Sequence, residues 1–152
     1  MKKQKIILGS DHAGFELKEE IKQYLQNEGF EVEDTGAKSY DKADDYPDFI
    51  VPAAKKVAKD PDSRGIILGA SGQGEAIAAN KIKGIRAAVY YGSNMDIVTL
   101  SRAHNNANML SLGAKFLKKE EAIEAVKLWL TTDFSKEERH KRRIKKISEA
   151  EK

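Results

Sequence analysis

Apolar positions along this chain recur with two periods, and the period switches repeatedly. Ile6, Ile7 and Leu8 make a short apolar run that stops at Gly9, which predicts a strand with a turn behind it. Phe15, Leu17, Ile21, Tyr24 and Leu25 then return at helical spacing, and Gly29 closes that segment. From Phe30 to Asp34 apolar and polar residues alternate, as on a half-buried edge strand. The polar stretch from Gly36 to Asp45 predicts a loop. A helix is expected from Pro47, with Phe49, Ile50, Ala53, Ala54 and Val57 facing inward. Gly65-Ile66-Ile67-Leu68-Gly69 is apolar between bracketing glycines, the pattern of a strand covered on both faces in a parallel sheet.

The second half continues in the same way. It predicts a helix from Glu75 to Ile82, a strand from Ile85 to Tyr90 and a helix from Met95 to Ala103. A short strand from Asn108 to Leu112 and a helix from Glu120 to Leu130 follow. A last helix from Lys136 would carry mainly Ile144 and Ile147, too little apolar surface to bury itself alone. Five alternations of strand and helix predict an α/β fold. It is a single three-layer doubly wound domain with a five-stranded parallel sheet, order 2-1-3-4-5, and helices on both faces. Residues 1–134 would form this Rossmann-like domain and residues 135–152 a C-terminal helical tail. Such sheets bind ligands beyond the carboxyl ends of their strands, so the segments after Leu8, Leu68 and Leu112 are the places to seek chemistry.

Composition narrows the classes. The 152 residues suit one domain with one core. No apolar run reaches the roughly eighteen residues of a membrane span. The run behind the basic Met1–Lys5 stops at Gly9, too early for a signal peptide. Cysteine is absent, which excludes disulfides, thiolate metal sites and a cysteine nucleophile and makes the cytoplasm the expected compartment. The net charge of +3 is too small to suggest a nucleic-acid binder, but it is unevenly spread. Residues 135–152 hold eight Lys/Arg against four Glu, leaving the rest slightly acidic. A basic tail of this kind meets an anionic ligand or an acidic partner, or is a solvated helix face.

Four segments offer chemistry. Gly69-Ala70-Ser71-Gly72-Gln73-Gly74-Glu75 follows the buried strand and opens a helix, so its backbone N–H groups can converge on an anion. It is no P-loop, because Glu75 stands where Lys is needed, and no dinucleotide fingerprint, because Ile77 occupies the third glycine position. A plain tight turn explains the glycines equally well. Glu75 adds a carboxylate beside those donors, the arrangement of a base next to a developing oxyanion. Ser10-Asp11-His12-Ala13-Gly14 follows the first strand, where Asp11 is either a cap or a ligand group. Arg102-Ala103-His104-Asn105-Asn106 precedes the last strand and is either a turn or, placed at the same active end of the sheet, a surface for a polyhydroxylated ligand. In the tail, Arg139 and Arg143 lie one helical turn apart with His140 beside them, a solvated charge run or a phosphate grip. His12, His104 and His140 share no ligand-spacing motif, so no metal site is expected.

Taken in order, these segments resemble the B-type ribose-5-phosphate isomerase family, which also contains galactose-6-phosphate isomerase subunits. The resemblance spans nearly the whole chain. Besides the segments above it rests on Asp45-Tyr46-Pro47, Ile77-Ala78-Ala79-Asn80-Lys81 and Gly84-Ile85-Arg86-Ala87. Many members carry a cysteine base at the position of Gly69, and this chain resembles the branch whose base is Glu75. The resemblance implies a sugar-phosphate aldose–ketose isomerase that interconverts D-ribose 5-phosphate and D-ribulose 5-phosphate through an enediolate, with allose or galactose 6-phosphate as the alternative substrate. Ser71 and the N–H groups around Gly69, Ala70, Gly72 and Gly74 would hold the enediolate oxygen. Asp11 and Asn105 would bind sugar hydroxyls, and His104, with Tyr46 nearby, would open the ring. His12, Arg139, His140 and Arg143 would surround the phosphate. Lys115 stands where some relatives have Arg, keeping the charge but losing the fork. The tail would come from a second subunit of a homodimer or dimer of dimers. No cofactor, nucleic acid or membrane is implied. The rival classes are a phosphate- or nucleotide-binding module without a base and a nucleic-acid binder acting through the tail.

Overall fold

The computed structural model describes residues 3–152, so Met1 and Lys2 of the basic start lie outside the described residues. The chain alternates β1 (Lys5–Ser10), α1 (Phe15–Asn27), β2 (Glu31–Asp34), α2 (Pro47–Lys59), β3 (Arg64–Gly69) and α3 (Gln73–Ala79). It continues with β4 (Ala87–Tyr90), α4 (Asp96–Ala103), β5 (Met109–Gly113), α5 (Lys119–Thr131) and α6 (Glu138–Glu149). No helix of the described residues is long and apolar enough to cross a membrane.

All strand pairs are parallel, and the sheet order is β2-β1-β3-β5-β4. The doubly wound parallel architecture is the expected one, but the last two strands are exchanged relative to 2-1-3-4-5. The reason lies in their side chains. β5 is buried along its whole length, whereas β4 is fully buried only at Tyr90. The more apolar strand therefore takes the interior place beside β3, and β4 becomes an edge. Close packing supports this choice, because a methyl group at Gly65 would come within 2.7 Å of the Met109 side chain.

The crossovers then follow one rule. Moves from β1 to β2 and from β4 to β5 go one way along the sheet, and their helices α1 and α4 share a face with α5. Moves from β2 to β3 and from β3 to β4 go the other way, and α2 and α3 share the opposite face. Right-handed connections require this division. Alternation within each strand feeds both layers: Ile6, Leu8, Ile66 and Leu68 face the first, Ile7 and Ile67 the second. The β2 edge is blunted by charge, with Glu33 paired to Lys5 at 2.8 Å and Lys56 at 2.6 Å. The β4 edge strand, Ala87-Ala88-Val89-Tyr90, has no charged side chain of its own.

Candidate active site

β3 stays apolar to its end, and Gly69 passes the chain into the turn that starts α3. Gly72 has φ +79°, a left-handed conformation that a side chain would strain. Its carbonyl accepts the Ser111 hydroxyl at 2.6 Å, and the Lys115 N–H donates to the Ala70 carbonyl at 3.0 Å. The carboxyl end of β5 and the turn behind it thus hold the loop from one side. The turn folds Glu75 back over Gly69, where a methyl group would overlap the Glu75 carboxylate. Glu75 is only 4% exposed. Burial pushes its carboxyl pKa up, the Asp11 charge adds to this, and the N–H groups of Glu75 and Gly72 partly counter it. Ser71 is half-buried, and its hydroxyl accepts the Gln73 N–H at 3.3 Å. Gly74 leaves room for the Tyr46 ring, whose hydroxyl would lie 2.6 Å from a methyl group there.

Asp11 is buried and accepts the Ala13 N–H at 3.0 Å, capping the short 3-10 turn after β1. His12 is gripped twice by Asp44, through its backbone N–H at 3.0 Å and its Nδ1 at 2.6 Å. The Asp44 bond raises the imidazole pKa, with help from the Asp11 and Asp44 charges. The ligand atoms of Asp11, His12 and Asp44 lie within 4.8 Å of one another, close enough to hold a cation. Asp44 instead favours a proton on Nδ1, and a protonated imidazole recognises anions rather than metals. Lys115 is exposed at this same end of the sheet.

His104 and Asn105 do not join this cluster, which corrects their expected place at the carboxyl ends of the strands. α4 runs antiparallel to the strands, so the segment between it and β5 lies at their amino ends. A five-residue strand, roughly 16 Å, separates the two ends. At the amino end the His104 ring stacks on His140 at 4.2 Å. His140, expected among exposed phosphate ligands, is 3% exposed and bonded through Nδ1 to the Ser135 hydroxyl at 2.9 Å. Burial, then the neighbouring His104, lowers its pKa. Arg139 and Arg143 are exposed on α6, one turn apart. One chain therefore carries two groups of candidate residues at opposite ends. Asp11, His12, Tyr46, Ser71, Glu75 and Lys115 lie at one, His104, Asn105, Arg139 and Arg143 at the other.

Sequence reasoning missed Asp44 and Lys18. Asp44 sits among other acidic residues in a polar loop, and no pattern distinguishes it from Asp41 or Asp45. Lys18 is on a helix, where lysine is ordinarily solvated, yet it is fully buried. Its ammonium meets Asp34 at 2.7 Å and the Ala37 carbonyl at 2.9 Å, and so ties down the start of the loop that delivers Asp44 and Tyr46.

A family model described as Ribose/Galactose Isomerase matches residues 6–147. A protein of Mycolicibacterium paratuberculosis named ribose-5-phosphate isomerase B is 46% identical over 147 residues, 97% of this chain and 91% of that one. The structure of Clostridium thermocellum ribose-5-phosphate isomerase B is 42% identical with a TM-score of 0.91, covering 97% of both chains. That of the Mycoplasma genitalium enzyme, with bound ribulose 5-phosphate, is 40% identical with a TM-score of 0.92 over 97% of this chain and 95% of that one.

Proposed function

The chain belongs to the ribose/galactose isomerase family, and on that premise we propose that it interconverts D-ribose 5-phosphate and D-ribulose 5-phosphate. The single observation that carries this is the buried Glu75 carboxylate folded over Gly69. In the open-chain aldose, Glu75 takes the proton from C2, and the electron pair moves onto the C1 carbonyl oxygen. Ser71 and the loop N–H groups face that oxyanion. Glu75 then returns the proton to C1 while the hydroxyl proton passes from O2 to O1, which leaves the ketose. A carboxylate whose pKa is raised by burial is a stronger base than an ordinary one. His12 and Lys115 meet the unreactive phosphate, whose binding positions C1 and C2.

The rest of the site comes from a second copy in this reading. His104 would assist ring opening, Asn105 would bind a hydroxyl, and Arg139 and Arg143 would complete the phosphate pocket. The β4 edge strand, itself without a charged side chain, supports such a pairing. Ile77 and Ile147 are 64% and 51% exposed there, and with Val89 and Ala87 they form the apolar part of two cavities of about 510 and 370 Å³ that Lys81, Arg86 and Glu151 also line. This strip runs from the loop end of the sheet to the α6 end. A two-fold axis through it brings the amino end of one copy over the carboxyl end of the other. The substrate makes the cytoplasm the natural compartment.

A coupled assay over ribose, allose and galactose phosphates tests the assignment. Highest kcat/KM on ribose 5-phosphate is expected. Glu75→Gln should lower kcat by about 10²–10⁴-fold while substrate still binds. Near-normal turnover by that variant would reject Glu75 as the base, and a preference for a hexose 6-phosphate would move the assignment to that substrate.

A further inference from the structure

Three arginines converge at the amino ends of the strands, away from Glu75. Arg64 opens β3, Arg86 directly precedes β4 and Arg102 lies in the last turn of α4. With Ser63, Asn106 and Asn108 they line a cavity of about 360 Å³. Arg102 is 5% exposed. None of the three makes an ion pair with a carboxylate among the described residues, and the charges of Asp133 on Arg64 and Arg102 and of Glu151 on Arg86 act only beyond ion-pair distance. All their hydrogen bonds go to neutral acceptors. Arg64 Nη1 donates to the Trp129 carbonyl at 3.2 Å and Arg86 Nε to the Asn106 carbonyl at 2.9 Å. Arg102 donates to the Thr132 and Ala107 carbonyls at 3.2 and 2.7 Å and to Asn106 Oδ1 at 2.9 Å. Burial first, then repulsion from Arg64 and Arg86, pulls the Arg102 pKa down to about 10, with Asp133 only partly countering them.

A scaffolding role accounts for the carbonyl contacts but not for the charge. Neutral donors such as glutamine would reach the same carbonyls without mutual repulsion between desolvated cations. The Trp129 ring lies 5.4 Å from the Arg64 guanidinium and 6.0 Å from that of Arg102, and its buried N–H finds no acceptor among the described residues. Three guanidinium forks around one cavity match an anion with several oxygens. We propose that the cavity bounded by Arg64, Arg86 and Arg102 binds a polyvalent phosphate-type anion, at a site separate from the one that holds the sugar phosphate.

Trp129 is the one tryptophan in the chain and packs against Arg64 and Arg102, so its emission senses a change at those arginines. The full-length protein is titrated with inorganic pyrophosphate in chloride buffer, following tryptophan fluorescence, calorimetric heat and thermal midpoint. Saturable binding and a raised midpoint are expected, since a ligand of the native state stabilises it. Arg64→Gln and Arg86→Gln should each weaken binding by about tenfold or more, and Arg64→Lys by less. Lys115→Ala/Arg139→Ala/Arg143→Ala should bind pyrophosphate unchanged. Two results overturn the proposal. One is no saturation up to about 10 mM. The other is binding lost in the triple variant yet intact in Arg64→Lys and Arg86→Gln, which assigns it to the sugar-phosphate site. If Arg64→Gln fails to fold, Arg86→Gln and Arg64→Lys decide the matter.

Discussion

Glu75 and any side chain at Gly69 would compete for one volume. Gly69→Ala should expel the carboxylate, lowering kcat by about tenfold or more and costing about 1–3 kcal/mol of stability through overpacking. Steady-state kinetics and a denaturant midpoint measure both. The second prediction concerns pH. Folding raises the Glu75 pKa, so above the ordinary carboxylate value the folded chain keeps a proton that the unfolded chain has lost. Stability from this group therefore declines as pH rises through that window. Glu75→Gln removes the decline, and the variant should be more stable than the native chain at neutral pH although nearly inactive. Denaturant midpoints across the acid range test it. His12 has the same sense for a different reason, because a bond to a carboxylate rather than burial raises its pKa. Its raised pKa means that stability from the Asp44 pair is complete below the unfolded histidine pKa and is lost as pH rises through the folded one. Asp44→Asn should lower the His12 titration midpoint in an NMR experiment and raise KM most at the alkaline end. The Gly-rich turn and its glutamate were legible in the sequence because steric demand and charge reside in the residues themselves. Asp44 was not, because its role comes from the loop fold that sets it against His12.

At the level of elements, the site depends on two connections of different kinds. The turn between β3 and α3 is short and clasped by β5, so it needs little outside help. The connection between β2 and α2 is long and polar, and Lys18 anchors its start. Burial alone would push the Asp34 carboxyl up, but Lys18, the Gly36 N–H and Lys22 together hold it below its ordinary value. Lys18→Met removes the ammonium and leaves Asp34 half-buried beside an apolar chain. A loss of about 3–5 kcal/mol is expected from breaking a buried pair, read from chemical denaturation. KM should rise as well, because the loop carrying Asp44 and Tyr46 loses its anchor. A purely local role for Lys18 would leave KM unchanged. The strands and helices themselves were legible, since their periods are written into each segment. The exchange of β4 and β5 was not, because neighbour choice compares two strands that lie far apart in the chain.

The whole molecule carries its candidate residues at two ends of one sheet, so activity is a property of the assembly in the proposed reading. Two inactive variants, Glu75→Gln and Arg139→Ala/Arg143→Ala, should therefore complement when mixed under subunit exchange. A mixed dimer regains one site in which both halves are native. No recovery despite demonstrated exchange would show that each site is built from one chain. A chain ending at Phe134 should keep its sheet, because α6 contributes only His140 to the buried residues. It should nevertheless lose affinity for phosphorylated substrate, and His104 would lose its stacking partner. Circular dichroism and a binding titration separate the two effects.

The sequence by itself determined the element types, the parallel sheet with helices on both faces, and the turn that presents Glu75. Each rests on information held within a few consecutive residues: a hydrophobic period, a glycine where the backbone turns tightly, a carboxylate one turn into a helix. Only the tertiary structure decided which strands are neighbours, that Asp44 holds His12, that Lys18 is buried, and that His104 and Asn105 stand at the other end of the sheet from Glu75. Each of these joins or separates residues distant in the chain, and their spacing is set by how buried surfaces pack rather than by any local pattern. The pair Glu75 and His104 shows the difference most clearly. Each side chain is identifiable as a candidate from its neighbours, but the strand between them, not the composition around them, sets their separation.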